Sequence, residues 1–332
     1  MNPTNPKPPI AEAIQLLAGI PISFALNTFI QLGIPEYLNQ GQKSVAEIAK
    51  HCQTQEEISF RFLRFLSKLG LVQMEGTSFK LTALGNYFRN DQPGNFCKNI
   101  EFMCSPPWFN TWSNLMYSLK TGDAAFKESM GMQPWDYFEK HPEYGIPFNE
   151  YMTQISKNGA ANLLNSYNFV EAGILCDVGG GHGFLLNEIL LKYPDKNGIL
   201  FDLPFVIKDV NLSNISDRCA VVGGSFFDEI PVADHYILKS ILHDWSNEKA
   251  TTILKNCAKS LKPFGKILVI DMILGKDESI LSYFYDLHMQ LMMNGRERTE
   301  EEFRVLFASA GLRITKIIPT GSPQFIIEGE II

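Results

Sequence analysis

The chain has 332 residues, and at about 100–200 residues per domain this length predicts two domains or one large domain with a sizeable appendage. Hydrophobic residues make up 45% and charged residues 20%, which is typical of a folded globular protein and excludes a disordered or fibrous chain. The formal net charge is −7, from 29 Lys and Arg against 36 Asp and Glu. A chain with this charge is not built to neutralise phosphates, so nucleic acid is disfavoured as its main partner.

Neither the cysteines nor the apolar segments predict export or membrane insertion. The six cysteines are scattered without C-x-x-C spacing, which predicts reduced, buried thiols and neither a zinc site nor a disulfide framework. The most apolar stretch, residues 10–38, is interrupted by polar side chains and by Pro21, so we expect core helices there. The sequence therefore predicts a cytoplasmic protein without a membrane partner.

The N-terminal third predicts an arm followed by a winged-helix layout. Residues 1–9 contain four prolines and predict a mobile arm. From residue 10 to about residue 100 the pattern is helical, and Ser44 with Glu47 forms a capping box. The predicted elements are helices over residues 45–51 and 55–69 and hairpin strands over residues 71–75 and 78–82.

This layout has two functional interpretations, DNA binding and a structural or dimerisation role. Residues 44–90 carry six Lys and Arg against four Asp and Glu, a net charge of only +2. Because a duplex-binding helix needs a stronger basic surface, we favour the structural or dimerisation role.

Residues 101–167 are unusually rich in Trp, Phe, Tyr and Met. Most of these side chains are expected to pack in the core or at an interface, but so many in one helical region can also wall an apolar pocket. We therefore predict a helical linker that contributes to a pocket for a small molecule. Candidate lining residues are Met103, Trp108, Phe148 and Met152.

From residue 168 to residue 332, strands alternate with helices. This alternation predicts an α/β fold, a Rossmann-like parallel sheet with helices on both faces. The predicted buried strands cover residues 174–178, 198–201, 220–222, 235–241 and 266–270, with a closing hairpin of residues 312–320 and 324–330.

The strongest local signal is the glycine-rich segment of residues 177–183, between a predicted strand and a predicted helix. Its glycines permit a tight turn and a close approach of a ligand, and the next helix offers free N–H groups. The dinucleotide pattern G-x-G-x-x-G/A fails, because its last position falls on Phe184 or Leu186. No G-x-x-x-x-G-K-[ST] loop occurs either, so NAD and nucleoside triphosphates are disfavoured.

A carboxylate follows the next predicted strand. Asp202 lies about 25 residues after the glycine-rich segment begins, where an acidic side chain can hold ribose hydroxyls. With NAD and nucleoside triphosphates disfavoured, the remaining candidate ligand is a nucleoside with little phosphate. This suggests S-adenosylmethionine. The carboxyl ends of parallel strands meet at one edge of the sheet, where ligands bind. The polar or loop residues expected at this edge are Asp177, Gly179, Asp202, Ser225, His243, Asp244 and Asp271.

Four ordered motifs resemble one family. From about residue 10 to the C-terminus, the chain resembles the small-molecule O-methyltransferases that use S-adenosylmethionine, among them the plant caffeate-type enzymes and bacterial enzymes that tailor natural products. The motifs are LCDVGGG at residues 175–181, FDLP at 201–204, LKSILHDW at 238–245 and GRERT at 295–299. Four motifs at suitable spacing are far more specific than the glycine-rich segment alone.

The resemblance implies a class I methyltransferase sheet and an N-terminal winged-helix domain that forms a homodimer. It also implies methyl transfer from S-adenosylmethionine to a phenolic or enolic hydroxyl of a small acceptor, leaving S-adenosylhomocysteine. The expected cofactor contacts are Asp177, Gly179, Gly180, Gly181, Asp202, Leu203, Ser225, Phe226 and Lys239. The expected acceptor contacts are Met103, Trp108, Phe148, Met152, Asp244, His288 and Met292.

The resemblance further implies that His243 is the catalytic base. A phenol with a pKa of about 10 is a poor nucleophile at neutral pH, and an imidazole with a pKa of about 6.5 can take its proton as the oxygen attacks. Asp271 and Glu297 match the two acids that flank this histidine in the family and would orient it. The family residue at the first position is commonly Glu, so Asp271 is expected to reach His243 less well.

Other departures from the family leave part of the site open. Ser225 stands where the family often has a carboxylate near the cofactor, and Met292 lies near the substrate-orienting Asn of plant members. A plant phenylpropanoid acceptor is therefore not implied. No cluster of His, Asp and Glu suggests a metal site, so we predict metal independence.

Two alternatives stay open at this point. The first keeps the fold and the cofactor but changes the chemistry to N- or C-methylation, or to a non-methylating decarboxylation, hydroxylation or rearrangement. The second is a ligand-responsive, winged-helix regulator that binds DNA.

Overall fold

The computed structural model describes residues 9–276 and 279–332. The chain forms two compact units, one ending at Ser105 and one covering Pro106–Ile332. The predicted N-terminal arm lies outside the described residues except for Pro9, which begins the first helix. The domain boundaries expected near residues 100 and 167 stay predictions.

The first unit is helical with a small sheet. Its helices are α1 (Pro9–Leu17), α2 (Gly19–Gln31), α3 (Ile34–Asn39), α4 (Val45–Cys52), α5 (Glu56–Lys68), α6 (Ala83–Asn86) and α7 (Cys97–Met103). Its strands are β1 (Lys43–Ser44), β2 (Val72–Glu75) and β3 (Ser78–Leu81), in the order β1-β3-β2. The capping box opens α4, since the Ser44 hydroxyl accepts from the Glu47 N–H and the Glu47 carboxylate accepts from the Ser44 N–H.

The expectation of core helices over residues 10–38 is wrong at its start. The core of this unit contains Phe29, Leu63 and Phe79 and is filled by α2–α5 with the small sheet. Ile10, Ile14, Leu16 and Leu17 of α1 therefore remain at the surface of the single chain, where the last two are each 83% exposed.

The second unit carries the large sheet. Its helices are α8 (Pro106–Ser113), α9 (Leu115–Thr121), α10 (Ala125–Met130), α11 (Pro134–Lys140), α12 (Pro142–Ser166), α13 (Phe184–Lys192), α14 (Pro204–Ile207), α15 (Asn247–Ser260), α16 (Ile280–Met293) and α17 (Glu300–Ser309). Its strands are β4 (Ile174–Val178), β5 (Asn197–Asp202), β6 (Cys219–Gly223), β7 (Ala233–Lys239), β8 (Leu261–Leu274), β9 (Arg298–Thr299), β10 (Leu312–Pro319) and β11 (Gln324–Ile331).

The strand order is β10-β11-β8-β7-β4-β5-β6, with β9 paired to β8 outside this path. β4 to β8 run parallel, and β10 and β11 close the edge as an antiparallel hairpin. Side chains of α12 and α13 pack on one apolar cluster of the sheet and those of α15 and α17 on the other. The predicted α/β fold is confirmed. The strand order reverses between β4 and β7, which is where ligands bind in open sheets of this kind.

Three sequence expectations need correction. The seventh strand ends at Lys239 and not at residue 241, because Ser240 has a left-handed backbone with φ of 56°. β6 is not buried: Val221 is 44% exposed, since β6 is an edge strand paired only with β5. All six cysteines are free, but Cys52, Cys104 and Cys219 are only partly buried.

Among the described helices, none combines the length and the apolar composition needed to cross a bilayer.

Candidate active site

His243 sits in a 3-10 turn, Leu242–Asp244, which follows β7 directly. The left-handed conformation at Ser240 turns the chain out of the strand, and such a conformation persists only where its surroundings hold it. Here the Ser240 N–H donates to the carbonyl of Ile270 at 3.0 Å, and the Gln324 side-chain amide donates to the Ser240 hydroxyl at 2.9 Å. The turn that carries His243 is therefore fixed to β8 and β11.

The GRERT segment holds the backbone of His243 from the other side. The pairing of β9 with β8 brings this segment to the end of the sheet. The Arg296 N–H donates to the His243 carbonyl at 2.8 Å, and a Cβ on Gly295 would lie 2.1 Å from that carbonyl oxygen. Only glycine fits so close to the turn.

Arg298 completes this hold and is fully buried. Its guanidinium donates to the carbonyls of Leu242 at 2.8 Å and Trp245 at 2.7 Å, and to the side-chain oxygen of Asn247 at 3.0 Å. Two of these acceptors flank His243 in sequence, so Arg298 fixes the turn on both sides of the histidine. Sequence reasoning did not single out Arg298, although it lies within a quoted motif.

Three carboxyl groups surround the His243 imidazole. Nδ1 lies 2.7 Å from Oε1 of Glu297, and Nε2 lies 3.6 Å from Oδ1 of Asp244. Glu297 is itself held, because its N–H donates to Asp286 at 3.0 Å. Asp271 is fully buried, and neither of its carboxylate oxygens has a hydrogen-bond partner among residues 9–276 and 279–332. Asp271 therefore acts on His243 through charge and not through a hydrogen bond.

These charges set the proton affinity of the cluster. Burial alone would lower the pKa of His243, but the charge and hydrogen bond of Glu297, with the charges of Asp271 and Asp244, raise it to about 10. Burial raises the pKa of Asp271 to about 7 and that of Asp244 to about 6, against the opposing effect of the charged His243. The imidazole thus carries a proton at neutral pH and has to lose it before it can act as a base.

A cleft opens beside this cluster at the reversal of strand order. Its lining combines the glycine-rich loop with one face of α12 and the end of β7. The residues are Asn149, Met152, Thr153, Ser156, Asp177, Gly179, Gly180, Gly181, His182, Phe184, Leu185 and Lys239. The expected cofactor contacts Asp177, Gly179, Gly180, Gly181 and Lys239 are brought together here, and the expected acceptor contact Met152 lies in the same cleft.

The loop geometry follows from its glycines. Gly179 and Gly181 have φ of 70° and 57°, and a Cβ on Gly179 would lie 2.3 Å from Ile241. The Asp202 carboxylate accepts from the N–H of Gly181 at 2.7 Å and of Leu203 at 2.6 Å. The carboxylate expected at the ribose therefore also braces the loop, a role that the sequence did not indicate.

Lys239 is partly buried at the end of β7, between the two functional regions. Burial lowers its pKa to about 8, and the charges of Asp177 and Asp271 oppose this effect. Burial raises the pKa of Asp177 to about 7, with Lys239 acting in the opposite direction. The Lys239 ammonium group thus interacts electrostatically with Asp177 in the cleft and with Asp271 in the histidine cluster.

Ser225 and Phe226, expected at the adenosine, follow β6 outside the lining of the cleft. The Ser225 hydroxyl accepts from the N–H of Phe227 at 3.2 Å and is used locally. The Phe226 ring packs edge-on against Trp245 and reaches the glycine loop, since a Cβ on Gly179 would lie 3.8 Å from it.

An aromatic box forms where α8 packs against α16, and we define it by Trp108, Trp112, Phe284 and His288. The His288 ring stacks on Trp108 with centroids 3.8 Å apart, and the Trp112 indole N–H donates to Nδ1 of His288 at 3.1 Å. Phe284 stacks on Trp112 at 5.4 Å. Trp108 and His288 were expected at the acceptor, whereas Trp112 and Phe284 were not singled out.

The other expected acceptor contacts are dispersed. Phe148 stacks on Phe138 at 4.9 Å in a separate aromatic cluster of α11 and α12. Met292 is buried on α16. Met103 belongs to the first unit. A hydrogen-bonded pair that sequence reasoning missed joins α12 to α16, where the hydroxyls of Tyr151 and Tyr285 lie 3.0 Å apart.

The cleft fits a nucleoside that carries a charged amino acid. Open space faces Gly181, since a Cβ there would meet nothing within 4 Å, and free N–H groups at the start of α13 follow the loop. Carboxylates of Asp177 and Asp202 suit an ammonium group and hydroxyls. No group of three or more His, Cys, Asp or Glu that could hold a metal occurs in the described part of the chain.

Comparison with known proteins agrees with this architecture. Residues 112–313 match the O-methyltransferase domain family, and residues 14–91 match the O-methyltransferase dimerisation domain family. The chain belongs to this family of O-methyltransferases, and it is an S-adenosylmethionine-dependent enzyme. The predicted family, activity and cofactor are confirmed.

Particular relatives extend along nearly the whole chain. The phenazine O-methyltransferase PhzM of Lysobacter antibioticus is 31% identical, over 96% of this chain and 95% of that protein. The mitomycin biosynthesis 6-O-methyltransferase of Streptomyces lavendulae is 30% identical, over 92% and 89%. The structure of NcsB1, an O-methyltransferase from neocarzinostatin biosynthesis in complex with S-adenosylmethionine and a hydroxy-methyl naphthoic acid, superposes with a TM-score of 0.82 at 28% identity, covering 96% of this chain and 98% of that one.

Proposed function

We propose that this enzyme methylates an aromatic hydroxyl of a small natural product, with His243 as the general base. The observation that carries the proposal is the hydrogen bond between Nδ1 of His243 and the buried carboxylate of Glu297. When Nδ1 carries the proton donated to Glu297, the neutral imidazole has its lone pair on Nε2. Nε2 is then the atom that takes the proton of the acceptor hydroxyl.

The proton affinity of His243 suits this task. A phenol has a pKa of about 10, and the surrounding carboxylates raise the pKa of His243 to the same region. Proton transfer from a phenol to the neutral imidazole is then close to balanced, and Glu297 stabilises the imidazolium that forms. At neutral pH most His243 side chains are already protonated and cannot act as a base. Turnover is therefore expected to rise with pH, as the fraction of neutral imidazole rises.

The cofactor belongs in the glycine cleft. S-adenosylmethionine supplies an electrophilic methyl group bound to a sulfonium. The leaving group is a neutral thioether, so it needs no proton from an acid. Asp202 would hold the ribose hydroxyls. Asp177 and the loop of Gly179–Gly181 would bind the amino acid part, and Phe226 would contact the adenine. Lys239 would balance the charges of Asp177 and Asp271. Positioning of donor and acceptor in line accounts for much of the remaining barrier.

The chemical class of the acceptor is inferred from the side chains of the aromatic box and from the relatives. The rings of Trp108, Trp112 and Phe284, of which the last two are stacked, offer flat apolar surfaces suited to a planar ring system. PhzM is named for phenazines, and the NcsB1 complex contains a naphthoic acid. A bicyclic or tricyclic aromatic alcohol fits both observations.

The first unit has a proposed function of its own, homodimerisation. It matches the dimerisation domain family, and its helix α1 exposes Ile10, Leu16 and Leu17 in the single chain. An apolar face of this kind is suited to burial against a second copy. Sedimentation velocity at micromolar protein is expected to give a dimer, and a monomer would refute this role.

Methyl-labelled S-adenosylmethionine and a panel of aromatic alcohols test the catalytic proposal. Wild type is expected to give a labelled aryl methyl ether. His243→Ala should bind the cofactor normally and lose about 10²- to 10⁴-fold in turnover, the usual contribution of a general base. His51→Ala, which removes an exposed histidine of the first unit, is the matched control. Unchanged turnover in His243→Ala would refute the base, and product without the label would favour non-methylating chemistry.

A further inference from the structure

The imidazole of His288 is buried in the aromatic box yet has one nitrogen without a protein partner. The side chain is 3% exposed and stacks between Trp108 and the rings of Trp112 and Phe284. Its Nδ1 accepts from Trp112 at 3.1 Å, whereas Nε2 has no hydrogen bond to any residue of 9–276 or 279–332. Nε2 is not sealed from its surroundings, so a ligand that reaches the box can accept a hydrogen bond from the N–H that this nitrogen carries.

The Trp112 contact fixes which nitrogen carries the proton. An indole N–H is only a donor, so the nitrogen that it contacts must offer a lone pair. Neutral His288 therefore carries its hydrogen on Nε2, on the side of the ring away from Trp112. Burial, with a smaller contribution from the charge of His243, lowers the pKa of His288 to about 3. The ring is therefore neutral at neutral pH.

We infer that His288 is a neutral hydrogen-bond donor that orients the acceptor by binding a carbonyl oxygen on it. The inference rests on the proposed function, because it assumes that the aromatic acceptor enters this box. The acceptor would then be a hydroxyaryl ketone or quinone, with the hydroxyl at His243 and the carbonyl at His288.

The charge of the region selects a carbonyl over a carboxylate. His288 carries no positive charge to attract an anion. His243, whose charge His288 senses, lies among the carboxyl groups of Glu297, Asp271 and Asp244. A further carboxylate on the acceptor would be repelled by these groups, whereas a neutral carbonyl accepts from Nε2–H without that cost.

Binding without turnover tests the inference separately from catalysis. The probes are ortho-, meta- and para-hydroxyacetophenone, each compared with the matching ethylphenol, which replaces the carbonyl by a methylene. Calorimetric titration is done with S-adenosylhomocysteine present, so that no methyl transfer occurs. At least one ketone is expected to bind about five- to tenfold more tightly than its partner, the range that one hydrogen bond supplies.

Two variants distinguish donation from packing. His288→Phe keeps a stacked ring without a donor and should abolish the ketone preference, while near-UV circular dichroism and S-adenosylhomocysteine binding show that the fold is kept. Trp112→Phe keeps the ring but removes the indole N–H. Nitrogen NMR of labelled histidine should show the Nε2–H tautomer in wild type and a mixture of tautomers in Trp112→Phe.

The results separate the two proposals. No ketone preference in any pair, absence of binding included, would overturn the role of His288, as would a preference that survives in His288→Phe or an Nδ1–H tautomer in wild type. A ketone preference without methylation of any aromatic alcohol would refute the proposed function alone. Methylation without the preference would refute the inference alone.

Discussion

Replacement of Glu297 by Gln is the sharpest perturbation of the histidine cluster. The amide is nearly the same size, and its oxygen can still accept from Nδ1–H of His243, so the orientation of the ring is kept. Only the negative charge is lost. Because Glu297 is the largest influence that raises the pKa of His243, while burial lowers it, the pKa should fall from about 10 toward the ordinary 6.5.

The expected shift is large enough to change the shape of the pH profile. With a pKa of about 10, roughly one imidazole in a thousand is neutral at pH 7; with a pKa near 6.5 most are neutral. The acid limb of kcat/KM for Glu297→Gln should therefore move by roughly three pH units to lower pH. The limiting rate at high pH should fall by roughly tenfold or more, since a weaker base takes the proton less readily.

Two measurements follow the change. Nitrogen NMR titration of labelled histidine reads the pKa of His243 directly, and the pH profile of turnover from pH 6 to pH 10.5 reads its consequence. Glu143→Gln is the matched control, because Glu143 contacts His141 at 3.1 Å in an exposed pair at the surface. An unmoved acid limb in Glu297→Gln, together with an unmoved titration of His243, would refute the electrostatic reasoning.

The same charge pair affects stability. A histidine whose folded pKa lies above its unfolded pKa contributes stability that is fully present below about pH 6.5 and is lost as the pH rises through about 10. The wild-type Tm should therefore fall more steeply between pH 7 and pH 10 than that of Glu297→Gln. Parallel Tm curves would contradict the raised pKa.

Further predictions concern the loop, the turn and metal. Asp202→Asn should weaken S-adenosylmethionine binding by about 10- to 100-fold in calorimetry, whereas the exposed Asp209→Asn should not. Gly295→Ala must displace the catalytic turn and should cut turnover by about 10²-fold, whereas Gly19→Ala, in open space, should leave it unchanged. Arg298→Met leaves buried carbonyls unpaired and should cost about 3–5 kcal/mol of the free energy of unfolding, measured in urea. A chelator should not reduce turnover; a loss restored by a divalent metal would contradict metal independence.

The sequence predicted the fold where hydrophobic period and turn chemistry agree. The glycine-rich loop, the capping box at Ser44 and the helix of residues 55–69 appear within a few residues of their expected limits. Periodicity could not show that β6 is an edge strand or that α1 stays exposed, because both depend on what lies beside an element and not on its own pattern.

The sequence predicted which residues belong to the site, but it did not predict how they contact one another. Strand-end reasoning placed Asp177 and Asp202 at one edge, and the motifs supplied Glu297. No spacing rule shows that a buried Arg298 holds two carbonyls, or that Trp112 fixes the tautomer of His288. Such contacts join segments that are more than 50 residues apart, and the folded chain alone brings them together.

The frame around His243 has a consequence for how such enzymes diverge. Gly295, Arg296 and Arg298 hold only the main chain of the turn, and none of their bonds involves the imidazole. The side chain at position 243 can therefore be exchanged without the loss of any hydrogen bond that Arg296 or Arg298 makes to the main chain of the turn. In a lineage with this frame, one substitution can remove the proton-transfer group and leave the main-chain frame of the turn in place.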